Sequence, residues 1–194
     1  MPRFAALDVG SNALRLRIIE ASAPGSSTRG QLALLPDKEG AWHEVLNLRA
    51  PVRLGSEVFV TGKLTAASIG QACEALREFR EAMDQAKVDA YRATATSAVR
   101  EASNGSTLVE RARREAGIEL EIIEGVEEAR LIQLAVVRKV GLADKKALLV
   151  DVGGGSTELT YLDHGRAAFS MSLPIGTVRC LEMYLKDAKK VDKE

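Results

Sequence analysis

The chain has 194 residues, 46% of them apolar and 28% charged, and its 27 basic and 27 acidic side chains cancel. That length fits one ordinary domain or two small ones. Zero net charge argues against a general nucleic-acid coating protein while leaving room for a local basic groove. Aromatic residues make up only 4%, so the core is expected to be Leu, Val, Ile and Ala. Cys73 and Cys180 are far apart and neither sits in a metal-ligand spacing. They read as reduced, structural thiols suited to a cytosol. The N-terminus shows no basic region followed by a long apolar stretch, so no signal peptide is expected. No apolar run is long enough to span a bilayer. His43 and His164 lack suitable neighbours and read as surface or loop residues, not catalysts.

In chain order, Arg3 to Val9 and Leu14 to Glu20 read as a strand pair, the second alternating Leu14, Leu16 and Ile18 with Arg15, Arg17 and Ile19. Arg15 and Arg17 then lie on an exposed strand face. Ala21 to Gly30 is rich in Ser, Gly and Pro, and reads as a connector before a short strand at Gln31 to Leu35. Glu44 to Leu54 reads as a further strand, interrupted by Pro51. Thr65 is a suitable N-cap for a helix to Ala86, along which Ile69, Ala72, Cys73, Leu76, Phe79 and Met83 recur at helical spacing. Val88 to Ala95 is the next strand. Ser106 to Ala116 is a helix stopped by Gly117, and Ile118 to Ile123 a strand. Val126 to Val140 is a helix with Ala129, Ile132, Leu134 and Val136 on its apolar side. After the strand Ala147 to Val150, Leu159 to Leu162 and Ala167 to Ser172 form a hairpin about Asp163-His164-Gly165-Arg166. Gly176 to Lys186 closes as a helix. The charged end, with Lys189, Lys190 and Lys193, reads as a frayed, solvated tail.

This order fits an α/β domain around a mixed sheet. The most informative stretch is Asp151-Val152-Gly153-Gly154-Gly155-Ser156-Thr157-Glu158, placed directly after an apolar strand. Three glycines let a backbone approach a ligand closely. Their N–H groups and the hydroxyls of Ser156 and Thr157 can donate to phosphate oxygens. Asp151 and Glu158 add hard carboxylate oxygens of the kind Mg2+ prefers. The pattern has an echo in Phe4-Ala5-Ala6-Leu7-Asp8-Val9-Gly10-Ser11-Asn12, so two phosphate-contacting turns are expected to face each other. The second motif opens a series that repeats the order of the first, a pseudo-repeat.

Four blocks in order resemble the exopolyphosphatase/guanosine pentaphosphate phosphohydrolase (Ppx/GppA) family. They are Ala6 to Asn12, Ala93 to Arg100, Ile122 to Ile132, and Asp151 to Glu158 followed by Leu173-Pro174-Ile175-Gly176. Val52-Arg53-Leu54-Gly55 is a weaker fifth. The resemblance implies an actin-like (ribonuclease H-like) ATPase-superfamily fold: a mixed sheet flanked by helices, a complete first domain over 1–125 and an incomplete second over 126–194. The chain then reads as a fragment of a longer protein. Ala13 stands where the family often has Ser or Thr, and Glu124 where Ser is common.

The same resemblance implies a Mg2+-dependent release of terminal phosphate from inorganic polyphosphate or guanosine pentaphosphate. It makes Glu128 the general base and Arg100 a catalytic phosphate contact. Asp8, Asp151 and Glu158 become Mg2+ ligands, and Ser11, Asn12, Gly154, Gly155, Ser156 and Thr157 phosphate-binding residues. Each has a plainer alternative. Glu127 and Glu128 can be first-turn acids complementing a helix dipole, Arg100 a surface partner of Glu101, and the aspartates turn residues. Arg130 reads as a structural pair former. A cytoplasmic location, no nucleic-acid or membrane partner, and a possible homodimer complete the expectation. The competing classes are an actin-like-fold kinase or ATPase and a non-catalytic module binding polyphosphate or the alarmone.

Overall fold

The computed structural model describes residues 1–21 and 42–185. The strand expected at Gln31 to Leu35, most of the Ala21 to Gly30 connector, Lys186 and the lysine-rich tail lie outside the described residues.

Strands β1 (Arg3–Val9), β2 (Leu14–Ala21) and β3 (Trp42–Ala50) form an antiparallel meander. Val9 pairs with Leu14 and Asp8 with Arg15 across the first turn. β4 (Ala90–Ala95) runs parallel to β1, and β5 (Leu120–Ile122) runs parallel to β4. The sheet order is β3-β2-β1-β4-β5. An antiparallel meander extended by parallel strands on the β1 side is the sheet of the actin-like fold expected above.

Helices close one face of this sheet. Leu7, Val9, Leu14, Leu16 and Ile18 point into a single core with Ile69, Leu76, Phe79 and Met83 of α2 (Ala66–Gln85). The apolar stripe at three- and four-residue steps faces the sheet, and each fully buried Leu or Ile contributes about 1.5–3 kcal/mol of transfer free energy. Thr65 caps α2 as expected, its hydroxyl accepting from Ser68 N at 3.1 Å. α4 (Gly105–Arg111) runs on into a π-helical turn over Ala112–Ala116, which Gly117 ends in the left-handed conformation.

Two helices differ from expectation. The strand extending to Leu54 stops at Ala50 because Pro51 supplies no ladder N–H. The chain turns instead into α1 (Gly55–Thr61), which buries Val58 and Phe59 and ends at left-handed Gly62. The Thr/Ser-rich turn after β4 contains α3 (Ser97–Glu101), five residues long and too short to show a period.

Beyond α5 (Gly125–Val140) lies a second sheet of antiparallel strands, β6 (Ala147–Val152), β7 (Thr157–Asp163) and β8 (Arg166–Leu173), in the order β6-β7-β8. The β7–β8 hairpin turns where expected, with His164 and Gly165 both at positive φ, 49° and 72°, the backbone of a type I′ turn. α5 packs on the inner face of this sheet. Of the four residues expected on its apolar side, only Ala129 is fully buried, and Ile132, Leu134 and Val136 are half-buried. A three-stranded sheet is too narrow to cover the whole stripe. α6 (Thr177–Cys180) follows β8 and continues through a π-helical turn, Leu181–Leu185.

Candidate active site

The two turns singled out in the sequence face each other and touch. A side chain at Gly154 would sit 3.1 Å from Ser11 Cβ and 3.3 Å from Asn12 N. One at Gly155 would sit 2.9 Å from Ser11 Oγ and would collide with Ser97 Oγ and the Phe59 ring. Glycine at 155 is therefore set by close packing of this turn against the β1 turn, α1 and α3, not by approach to a ligand.

The carboxylates gather where β1, β6, β7 and α5 meet. Alternation along the second sheet places Asp151, Glu158 and Ser172 side by side in cross-strand register on the face that α5 covers. Ser172 Oγ donates to Glu158 Oε1 at 2.7 Å. A side chain at Gly125 would come within 2.6 Å of Ser172 Cβ, so the glycine lets the start of α5 settle directly on β8. That contact brings Glu128, in the first turn of α5, over the polar row.

Glu128 is the most perturbed acid of the group. Burial is the main cause, with the Glu158 carboxylate next, and Asp8 and Asp151 adding to it. Together they push its carboxyl up to about 7 although Arg100 opposes them. One oxygen each of Glu128 and Glu158 is buried and has no hydrogen-bond partner among the described residues. Asp8 is exposed on the outer side of β1, yet surrounding atoms displace water from its carboxylate. Desolvation there raises its carboxyl, Arg15 across the β1–β2 ladder pulls it down, and Asp151 raises it further. Arg15, expected only to line an exposed face, therefore acts on the site through its charge. Arg17 pairs with Glu44 on the surface at 2.8 Å, as its strand position implied.

Arg100 does not pair with Glu101. Its side chain is 18% exposed, its Nε lies 4.0 Å from Glu124 Oε2, and its Nη1 donates to Ile123 O at 2.7 Å. The guanidinium thus stands at the start of α5, held partly by a backbone carbonyl, with donors left over. Glu127 follows the plainer alternative. It bonds Arg130 at 2.6 Å and Arg92 at 3.4 Å. These pairs, the Arg130 bond first, hold its carboxyl down at about 2. Arg130 is the structural pair former that was expected.

Two hydroxyls expected to bind phosphate are engaged elsewhere. Ser11 is 4% exposed, and its Oγ lies 2.8 Å from Ser97 Oγ in a buried tie between the β1 turn and α3. Thr157 stands on the opposite face of β7 from Glu158 and donates to Ile175 O. Strand alternation forces this, because Glu158 points inward. Ser156 is buried, and its hydroxyl makes no hydrogen bond among the described residues. Asn12 is exposed at the edge of the cleft. It helps to line a cavity of about 160 Å³ with Arg53, Thr177, Val178, Leu181 and Glu182. A larger cavity, about 460 Å³, lies away from the carboxylates, between the end of β3 and α2.

Among the described residues no three His, Cys, Asp or Glu side chains converge as a ready metal cage, so Asp8, Asp151 and Glu158 do not form one. The donors still suit Mg2+. They are hard carboxylate oxygens, one of them buried and unpartnered, and Mg2+ commonly takes one or two carboxylates and completes its shell with phosphate and water.

Sequence reading overlooked Arg179 and its partners Glu101 and Phe59. Arg179 Nε donates to Gly155 O at 2.7 Å. Its Nη2 reaches both Glu101 oxygens, at 2.6 and 2.7 Å, and its guanidinium lies 4.0 Å from the Phe59 ring centroid. The nearest signal was its position three residues after the Leu173-Pro174-Ile175-Gly176 block.

The model of the Ppx/GppA phosphatase family matches residues 36–194. The chain belongs to this family. Exopolyphosphatase 1 of Mycobacterium leprae is 31% identical over 185 residues, covering 95% of this chain and 50% of that protein. The crystal structure of the Aquifex aeolicus family member superimposes with a TM-score of 0.74 at 31% identity, over 94% of this chain and 54% of that one. An exopolyphosphatase from Cytophaga hutchinsonii gives a TM-score of 0.78 at 28% identity, over 94% and 53%. The chain spans about half the length of these family members. No described helix is long and apolar enough to cross a membrane.

Proposed function

We propose that this chain carries the hydrolytic site of a phosphatase that releases terminal phosphate from inorganic polyphosphate, with guanosine pentaphosphate as a second candidate substrate. The observation that carries this reading is Glu128, a desolvated carboxyl at about 7 set among Glu158, Arg100, Asp8 and Asp151, the last of which leads into the triple-glycine turn. A general base works best with a pKa near the working pH. In the proposed step a water oxygen attacks the terminal phosphorus, its proton passes to Glu128 Oε2, and the bridging P–O bond breaks toward the shortened chain. Arg100 and the N–H groups of the turn hold the phosphoryl oxygens and take up charge as it spreads over them. Asp8, Asp151 and Glu158 would hold Mg2+, which would supply further charge neutralisation. The second sheet is proposed to open a second domain beginning at α5. Homodimerisation and a cytoplasmic location belong to the same proposal.

Phosphate release is measured from polyphosphate and from guanosine pentaphosphate with Mg2+, for the chain and for Glu128→Gln. Substrate-dependent release that Glu128→Gln abolishes supports the reading. Full turnover by Glu128→Gln removes the base assignment. Consumption of ATP only with a phosphate acceptor favours the kinase alternative, and binding without release favours a non-catalytic module.

A further inference from the structure

The triple-glycine turn is shaped by hydrogen bonds to its carbonyls. Gly153 O accepts from Thr177 N at 3.0 Å, and Gly154 O from Val178 N at 2.9 Å and Arg179 N at 3.0 Å. In a planar trans peptide the C=O and the following N–H point in opposite directions. Holding these carbonyls toward α6 therefore turns the N–H groups of Gly154 and Gly155 the other way, and neither makes a backbone hydrogen bond among the described residues. The third peptide plane, Gly155 to Ser156, has no backbone anchor of this kind. Its carbonyl is held by a side chain, Arg179 Nε, at 2.7 Å.

Arg179 is itself fixed on two sides. Its side chain is 11% exposed, its Nη2 holds Glu101, and its guanidinium lies over the Phe59 ring. Glu101 ends α3, the helix that also carries Arg100 and begins with Ser97, the residue tied to Ser11. One guanidinium thus connects the last peptide plane of the glycine turn to the short helix that presents Arg100.

We propose that Arg179 is a positioning residue that sets the Ser156 N–H and registers the glycine turn against Arg100. Without touching phosphate itself, it completes a run of three backbone donors, Gly154, Gly155 and Ser156, aimed at one anion. Arginine suits this role because Nε and Nη2 serve two acceptors at a fixed angle while the flat face stacks on an aromatic ring. Lysine offers neither the angle nor the stack. The inference rests on the phosphate-binding reading of the turn, but its local consequence can be measured without any ligand.

The test compares the chain with Arg179→Met, Arg179→Lys and Glu101→Gln. Amide hydrogen exchange is followed at Ser156 and in the β1–β4 ladder, and binding and hydrolysis of tripolyphosphate are measured in parallel. Arg179→Met is expected to speed Ser156 exchange by about tenfold or more, leave the ladder amides unchanged, and weaken tripolyphosphate by roughly tenfold in KM, more than in kcat. Arg179→Lys should recover only part of this. Glu101→Gln keeps the Gly155 contact and should give a smaller change in the same direction. If Arg179→Met does not fold, Glu101→Gln and Arg179→Lys decide. Unchanged Ser156 exchange in the folded variants, or a rise shared equally by the ladder, overturns the proposal. Altered exchange with no tripolyphosphate binding by any protein, the parent included, supports the local positioning and rejects the phosphate reading of the turn.

Discussion

Ala5, Leu7 and Val9 on β1 stand at the same positions before their turn as Leu148, Val150 and Val152 do on β6. The first three are 7%, 2% and 1% exposed, and the second three 62%, 55% and 58%. The strands share one logic, an apolar face on one side and an acid pointing to the other. What differs is the layer above. α2 seals the first sheet, whereas among the described residues nothing covers the outer face of the second. Alternation in a sequence states which face would gain from burial and leaves open whether anything buries it. The inner faces compare differently. Both strands deliver their acid, Asp8 or Asp151, to the same group of carboxylates around Glu128.

The contrast predicts very unequal sensitivity. Leu16→Ala, at a fully buried position, should destabilise the chain by about 2–5 kcal/mol in urea unfolding, because it removes transfer energy and leaves a void. Val150→Thr, on the open face, should stay within about 0.5 kcal/mol. Equal costs would mean that the outer face is covered in solution and that the contrast is wrong.

Glu128→Gln should lower phosphate release by about 10²–10⁴-fold at pH 8, the usual worth of a general base. In the unsubstituted chain the rate should fall as pH drops below about 7, where Glu128 takes up its proton. A flat rate from pH 6 to pH 8 would place the base elsewhere. Gly155→Ala tests the seam between the two turns. The added methyl meets Ser97 Oγ, the Phe59 ring and Ser11 Oγ, and overpacking of this kind costs about 1–3 kcal/mol. Gly70, inside α2, has open space where a methyl would go, with no atom within 4 Å, so Gly70→Ala should instead stabilise by about 0.5–1 kcal/mol through helix propensity.

The long helix α2 was legible in the sequence, and the short helices α1 and α3 were not. α2 announces itself through 20 residues of periodic apolar spacing and a Thr65 cap. α1 and α3, with seven and five residues, offer too few turns for a period, and Pro51 concealed the first by looking like an interruption instead of an end. The facing turns were legible because glycine spacing is a local signal, and Glu128 was singled out through the block Ile122 to Ile132. Thr157 was misplaced despite a usable one, since Glu158 inward requires Thr157 outward. Arg179 had only its place after the Leu173-Pro174-Ile175-Gly176 block to mark it. Its partners lie 24 and 78 residues away, and only the folded chain brings them together.

Neighbouring acids on α5 give the finest test, because the fold moves them in opposite directions. Glu128 is raised from 4.5 to about 7 by burial and by Glu158. The folded chain therefore holds this proton more tightly than the unfolded chain does. Its ionisation costs nothing below pH 4.5, costs progressively more between 4.5 and 7, and costs a constant amount above. Glu127 is lowered to about 2 by Arg130 and Arg92. Its pairing is intact above pH 4.5 and is lost as pH falls toward 2. Glu128→Gln should accordingly raise the melting temperature at pH 8, by an amount worth about 1–2 kcal/mol once solvent screening of this partly open site is allowed for, and should do nothing at pH 4. Glu127→Gln is exposed and should leave the melting temperature at pH 8 almost unmoved. Melting curves of the two variants at pH 4 and pH 8 separate a desolvated carboxyl from a surface ion pair one residue away. Destabilisation by Glu128→Gln at pH 8 would mean that a partner stabilises this carboxylate and holds its pKa down, which is incompatible with a base poised near neutrality.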